Sequence, residues 1–199
     1  MQGALFDSEH RRPLAGGAWI DVRPGWFDAP AALFDELLAA VDWRAERRRM
    51  YERTLDVPRL CSFVDLTTSE APHPVLKGLR RRLNDAYAGE LGEPFTTAGL
   101  CLYRDGDDSV AWHGDTIGRS STEDTMVAVL SLGATRVFAL RPRNAGADGR
   151  RTSVRLPQGH GDLLVMGGAC QRTWEHAVPK TARPTGPRIS IQFRPRDVR

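Results

Sequence analysis

The stretch Met126-Val127-Ala128-Val129-Leu130-Ser131-Leu132-Gly133-Ala134-Thr135-Arg136-Val137-Phe138-Ala139-Leu140 decides the fold. Two runs of apolar and β-branched residues, Met126–Leu132 and Arg136–Leu140, flank a Gly133-Ala134 turn, which is the pattern of two short strands. The pattern repeats outward in both directions, through Thr97–Tyr103 and Val110–His113 upstream and Thr152–Leu156, Asp162–Met166, Trp174–Ala177 and Arg188–Phe193 downstream. Asp105-Gly106, Asp148-Gly149 and Gly159-His160-Gly161 supply turns between them. Many short strands at close spacing predict a double-sheet sandwich or jelly roll over residues 95–199.

The N-terminal half reads differently. Ala18–Val22 alternates as a short strand, and Asp28 ahead of Ala29-Pro30 is the expected N-cap of a helix carrying Leu33, Phe34, Leu37, Leu38 and Val41. A second helix is predicted from Pro74 to about Leu91, with Val75, Leu76, Leu79, Leu83 and Tyr87 on one face and Arg80, Arg81 and Arg82 on a solvated one. Both helices are expected to pack on one sheet, which makes the fold class α+β. Residues 42–70 read as an irregular flap and residues 1–15 as flexible, all within a single domain of 199 residues.

Composition is that of a globular protein, 41% hydrophobic and 27% charged. No apolar run approaches the roughly 18 residues that span a bilayer. The first residues carry acids and prolines where a secretory signal needs an apolar stretch, so a cytoplasmic monomer with no membrane partner is expected. The net charge is +3, and of 28 basic residues only Lys77 and Lys180 are lysines. Arginine forks suit phosphate, but the same bias follows from GC-rich coding, so charge alone assigns no partner. Cys61, Cys101 and Cys170 form no CxxC pair, which argues against a disulfide framework or a structural zinc site and leaves small buried thiols.

His113-Gly114-Asp115 is the informative local pattern among five histidines. Residues two apart on a strand share a face, so His113 and Asp115 can aim at one point, with Gly114 leaving the other side open. His176, on the penultimate predicted strand, is the best third ligand. Two imidazoles and one carboxylate leave coordination positions open, which suits non-heme Fe(II) binding a co-substrate and O2 together. Arg188, on the following strand, would line the same cavity. A buried arginine there needs a carboxylate, which a dicarboxylic co-substrate or a protein acid could supply.

These residues resemble the AlkB family of Fe(II)/2-oxoglutarate dioxygenases, from about Pro58 to Arg194. The likeness runs through Pro58-Arg59, Tyr103-Arg104-Asp105-Gly106, Trp112-His113-Gly114-Asp115, Ser131-Leu132-Gly133, Gly161-Asp162-Leu163-Leu164-Val165-Met166, Trp174-Glu175-His176 and Arg188-Ile189-Ser190-Ile191-Gln192-Phe193-Arg194. It implies a double-stranded β-helix with a nucleotide-recognition flap. It implies iron on His113, Asp115 and His176, and 2-oxoglutarate held by Arg188, Arg194, Tyr103 and Ser190. The implied activity is oxidative demethylation of N-alkylated bases in DNA, releasing formaldehyde, succinate and CO2. RNA, a protein side chain or a small metabolite is the alternative substrate, and a nucleic-acid binder without chemistry is a third reading that the intact triad opposes.

The chain departs from the family pattern at three places. Cys101 stands where the family has the asparagine of N-x-Y. Thr116 and Ile117 stand where many DNA-repair members have an acid. Ser190 and Gln192 occupy the middle of the closing R-x-N-x-T-x-R motif. A DNA-acting version must flip its target base out of the duplex. Tyr51 and Phe63 are the candidates to stack on the flipped base or fill the gap, and Arg59, Arg119, Arg172 and Arg47–Arg49 to meet phosphates.

Overall fold

Two antiparallel sheets face one another. The computed structural model describes residues 10–50, 53–68, 70–90, 92–146, 149 and 151–198. In chain order the elements are β1 (Arg11–Pro13), β2 (Ala18–Arg23), α1 (Pro30–Ala40), β3 (Arg44–Met50), β4 (Arg53–Asp65), α2 (Val75–Ala86), β5 (Phe95–Tyr103), β6 (Val110–His113), β7 (Val127–Gly133), β8 (Arg136–Pro142), β9 (Val154–Gln158), β10 (Leu163–Gly168), α3 (Cys170–Thr173), β11 (Trp174–Val178) and β12 (Arg188–Pro195). The major sheet has the order β1-β2-β10-β7-β12-β5-β4-β3, and the minor sheet β6-β11-β8-β9. This is the jelly roll that the strand spacing predicts. Helices α1 and α2 lie on the major sheet, against β7 and β5.

Alternation along the strands explains why the major sheet is buried on both sides. On β7, Ala128, Leu130 and Leu132 pack under the helices, while Val127 and Val129 face the minor sheet. On β10, Leu163 and Val165 take the helix side, and Leu164 and Met166 the sheet side. Two apolar layers result. One joins α1 and α2 to the major sheet through Leu33, Leu37, Leu76, Leu79 and Leu83. The other fills the space between the sheets with Phe138, Leu140, Trp174 and Val178.

Strand β12 breaks the symmetry of this core. Ile189, Ile191 and Phe193 sit fully buried in the helix-side layer. The intervening residues, Arg188, Ser190, Gln192 and Arg194, therefore face the minor sheet. Neighbours on both sides fix the register: Arg188 lies opposite Tyr103 on β5 and Gly133 on β7.

Several expectations need correcting. Arg11–Pro13, inside the segment read as flexible, pairs with β2 as an edge strand. In the segment read as an irregular flap, β3 pairs antiparallel with β4, and β4 with β5, so the two strands extend the major sheet. The alternation there was blurred because both faces carry apolar residues: Leu60 and Val64 turn to the helices, while Cys61 and Phe63 occupy the other face. Asp28 does not cap α1; Ala29 precedes it without a side-chain cap, and Pro30 opens the helix with a preset φ and no amide to satisfy. Helix α2 stops at Ala86, where Tyr87 leaves helical geometry and its hydroxyl donates to the buried Asp21 carboxylate at 2.7 Å.

Gly133 ends β7 at φ +84°, and a Cβ there would come within 2.4 Å of the Pro187 carbonyl oxygen. Its amide donates to His160 Nδ1 at 2.7 Å. Gly133→Ala is expected to destabilise the protein by at least about 1–3 kcal/mol, from the left-handed backbone alone. An unchanged urea midpoint would reject this reading of the turn.

Candidate metal centre

Strands β6 and β11 pair so that His113 and His176 stand directly opposite each other. Their rings lie 4.2 Å apart, and Phe138 from β8 stacks on His176 at 5.4 Å. Asp115 follows His113 by two residues, just past the end of β6. One donor atom from each of His113, Asp115 and His176 lies within 4.8 Å of the others, which is the only such cluster of three among the described residues. The structure thus brings together the triad expected from the sequence.

The surrounding groups orient each ligand. His113 Nδ1 donates to the Ala111 carbonyl at 2.8 Å, which leaves the Nε2 lone pair for a metal. Asp115 Oδ2 accepts from Arg194 Nε at 2.8 Å, and Oδ1 points toward His113 Nε2 at 4.0 Å. One oxygen thus serves the arginine and the other the metal position. The Ser120 hydroxyl ties down the Asp115 carbonyl. Gly114 does not leave one side open, as the sequence suggested. A side chain there would strike the Arg143 guanidinium and meet the Gln171 carbonyl at 3.0 Å, so the backbone itself packs against β11 and α3.

Electrostatics favours the ligating forms. Burial pushes the His176 imidazole down to about 3, and the nearby His113 adds to this. Burial also lowers His113, against the opposing pull of Asp115. Burial works against the Asp115 carboxylate, but Arg194 and the two histidines overcome it and hold it well below the usual range. Near neutral pH the site therefore offers two neutral imidazoles and one carboxylate.

A second feature lies on the same face of β12. Arg188 is 1% exposed. Its Nη2 donates to Ser131 Oγ at 2.8 Å, and its guanidinium lies 5.2 Å from the Tyr103 ring centre. Nε and Nη1 are buried without a hydrogen-bond partner among the described residues. Burial pushes this guanidinium below the ordinary arginine value, and neighbouring Arg136 pushes the same way against Tyr103. Ser190 lies opposite Cys101 and Ser131 in the sheet and accepts from Gln192 Nε2 at 2.6 Å.

The other candidates are placed as follows. Phe63 is 55% exposed on the inward face of β4 and borders a cleft of about 340 Å³ shared with Asp65, Thr97 and Arg196. Arg59 turns inward, its Nη1 on the Ser109 carbonyl at 3.2 Å and its charge sustained, against burial, by Cys101, Tyr103 and Cys61. Arg119 is held in ion pairs with Glu123 at 2.7 Å and with Glu93. Arg172 pairs with Asp124. Tyr51 lies outside the described residues, and the side chains of Arg47–Arg49 are not described. Trp112 sits under Arg141 on the outer face of the minor sheet, and Trp174 is buried between the sheets.

Sequence reasoning missed Ser131 as a partner of Arg188. It also missed Arg136, which is buried and donates to the carbonyls of Asp105, Asp108 and Pro179 at 2.7–2.9 Å. The arginine opening an apolar strand run at Arg136 was the available signal. Among the described residues, no helix is long and apolar enough to cross a membrane.

Comparison with known proteins agrees with this geometry. Residues 28–194 match the family model of the 2OG-Fe(II) oxygenase superfamily. The human alpha-ketoglutarate-dependent dioxygenase alkB homolog 3 is 33% identical over 90% of this chain and 66% of its own. The human DNA oxidative demethylase ALKBH2 is 33% identical over 67% of this chain and 51% of its own. The chain thus spans about two thirds or less of the length of these relatives. A Trichoplax adhaerens prolyl hydroxylase, solved with a hypoxia inducible factor peptide, superimposes with a TM-score of 0.63 at 11% identity, covering 89% of this chain and 83% of that one.

Replacing Asp115 with Asn keeps the shape and removes the charge. Asp115→Asn is expected to abolish stoichiometric binding of Co(II), followed by its visible absorption. Wild-type affinity in that variant would remove Asp115 from the ligand set.

Proposed function

Since the chain belongs to the 2OG-Fe(II) oxygenase superfamily, we propose that it uses Fe(II), 2-oxoglutarate and O2 to remove alkyl groups from nitrogen atoms of DNA bases. The observation that carries the cofactor assignment is the buried Arg188, with two guanidinium nitrogens unpartnered. A buried cation without an anion is costly, and a carboxylate arriving from a ligand relieves that cost with charge-assisted hydrogen bonds. The donor set at the metal position fits as well, because two imidazoles and a carboxylate suit Fe(II) and leave sites for a co-substrate and oxygen. His113, Asp115 and His176 would hold the iron, and Arg188 the distal carboxylate of 2-oxoglutarate.

When bound, the iron centre supplies the oxidation that puts one oxygen atom on an N-methyl carbon and the other on 2-oxoglutarate, which becomes succinate and CO2. The resulting N-hydroxymethyl group loses formaldehyde and leaves the restored base. The chain's own residues bind and orient. Arg194 keeps Asp115 ionised and aimed. Phe138 and the Ala111 carbonyl fix the two imidazole rings. Tyr103 is buried between Arg136 and Arg188; burial raises its pKa, so its hydroxyl stays protonated and would donate to the co-substrate.

DNA as substrate is supported by the similarity to ALKBH2, a DNA oxidative demethylase. A base reaches a centre this deep only after leaving the duplex, and it then needs a flat side chain to stack on. Phe63 is exposed on the sheet face that carries the site and suits that role. Phosphates would be met by Arg196, beside the same cleft, more readily than by Arg119, which is engaged with two glutamates.

The test is incubation with Fe(II), 2-oxoglutarate and single- or double-stranded oligonucleotides carrying 1-methyladenine or 3-methylcytosine, read by product mass. Loss of one methylene per lesion is expected. Turnover of 2-oxoglutarate without repair of any lesion would sink the DNA reading and leave the oxygenase. Arg188→Met should raise the 2-oxoglutarate requirement by about ten- to a hundredfold, since it removes a charge-assisted bond of roughly 1.5–3 kcal/mol. An unchanged requirement would reject the role of Arg188.

A further inference from the structure

Cys61 and Cys101, forty positions apart in the chain, are register partners on the adjacent strands β4 and β5. Their sulfurs lie 3.7 Å apart. Both residues are partly exposed, whereas Cys170 is buried at the first position of α3. We propose that Cys61 and Cys101 form a redox-responsive thiol pair, which a peroxide converts to a reversible cross-strand disulfide.

The geometry supports this at three levels. Directly opposed residues on antiparallel strands have Cα atoms about 4.5–5.5 Å apart, inside the roughly 4.4–6.8 Å that a disulfide spans. The sulfurs already face each other, so side-chain rotation and a small approach of the strands complete the bond. The surroundings also favour the nucleophilic form of one partner. Contact with the Cys61 thiol lowers Cys101 to about 6, against the partial loss of water around it, and the Arg59 guanidinium assists. Burial alone pushes Cys170 up to about 12, so the third thiol is an inert internal reference.

The chemistry balances with hydrogen peroxide as oxidant. The Cys101 thiolate attacks one peroxide oxygen, the O–O bond breaks, and the departing hydroxide takes a proton to become water. Cys101 is then a sulfenic acid. The Cys61 sulfur attacks the Cys101 sulfur, the S–O bond breaks, and a second water leaves with the Cys61 proton. Two thiols lose two electrons and two protons, and one peroxide becomes two waters. A dithiol such as dithiothreitol reverses the change by exchange.

The 199-residue chain, kept metal-free with a chelator, is treated with hydrogen peroxide, alkylated with N-ethylmaleimide and digested for mass spectrometry. The expected result is a peptide pair joined through Cys61 and Cys101, with loss of two alkylatable thiols, recovery of both after dithiothreitol, and Cys170 still alkylated. In Cys61→Ser the reaction should stop at a Cys101 sulfenic acid that dimedone traps. Separate oxidation of the two cysteines to sulfinic acids without a crosslink would overturn the proposal. So would oxidation of Cys170 at the same rate, or a Cys101 that dimedone never labels in Cys61→Ser. The outcome does not depend on iron, co-substrate or DNA, so it stands or fails apart from the proposed function.

Discussion

Burial of β12 on both faces is the constraint that organises this molecule. A central strand packed between helices and a second sheet leaves its polar residues little water, so the buried Arg188 and Ser190 above all need partners within the protein or in a ligand. Alternation resolves this by giving one face entirely to Ile189, Ile191 and Phe193 and the other to Arg188, Ser190, Gln192 and Arg194. The polar face then needs counterparts from the opposing sheet. Only Arg194 finds one there, the Asp115 carboxylate just past β6, beside His113 and His176 on the paired strands β6 and β11. Site and fold are therefore consequences of the same alternation.

This arrangement also accounts for the rigidity of the ligand set. His113 and His176 are held by direct cross-strand pairing, so their separation is set by sheet geometry and not by loop conformation. Asp115 lies just beyond the strand, where its position depends on other contacts. Arg194 grips its carboxylate, Ser120 its carbonyl, and Gly114 lets its backbone lie against β11 and α3. The ligand with least help from secondary structure thus has the most help from its neighbours.

How much of this was legible in the sequence varied with the range of the interaction. His113 and Asp115 were readable because strand periodicity puts residues two apart on one face. The jelly roll was readable because turns punctuate many short apolar runs. The hairpin of β3 and β4 was not, since Cys61 and Phe63 fill the face where polar residues would have marked alternation. The meeting of Cys61 with Cys101 was invisible for a different reason. It depends on the register of two strands forty residues apart, and no local pattern encodes a register. Arg188 and Arg194 were found together, but not the difference between them.

That difference lies in which of the two guanidiniums already has an anionic partner. The two arginines lie six residues apart on one face of one strand, Arg188 fully buried and Arg194 partly so. Arg194 is neutralised within the protein, since Asp115 accepts its Nε. Arg188 meets a serine hydroxyl and an aromatic ring, neither of which carries negative charge. Were both paired internally, a dicarboxylate would gain little by entering. Were both unpaired, the metal carboxylate would lose the contact that keeps it ionised and aimed. Under the proposed function, one paired and one unpaired cation would hold the metal end ready and leave the far end for an incoming carboxylate. On that proposal, the desolvation of Arg188 that the folded chain already bears would favour the carboxylate's entry.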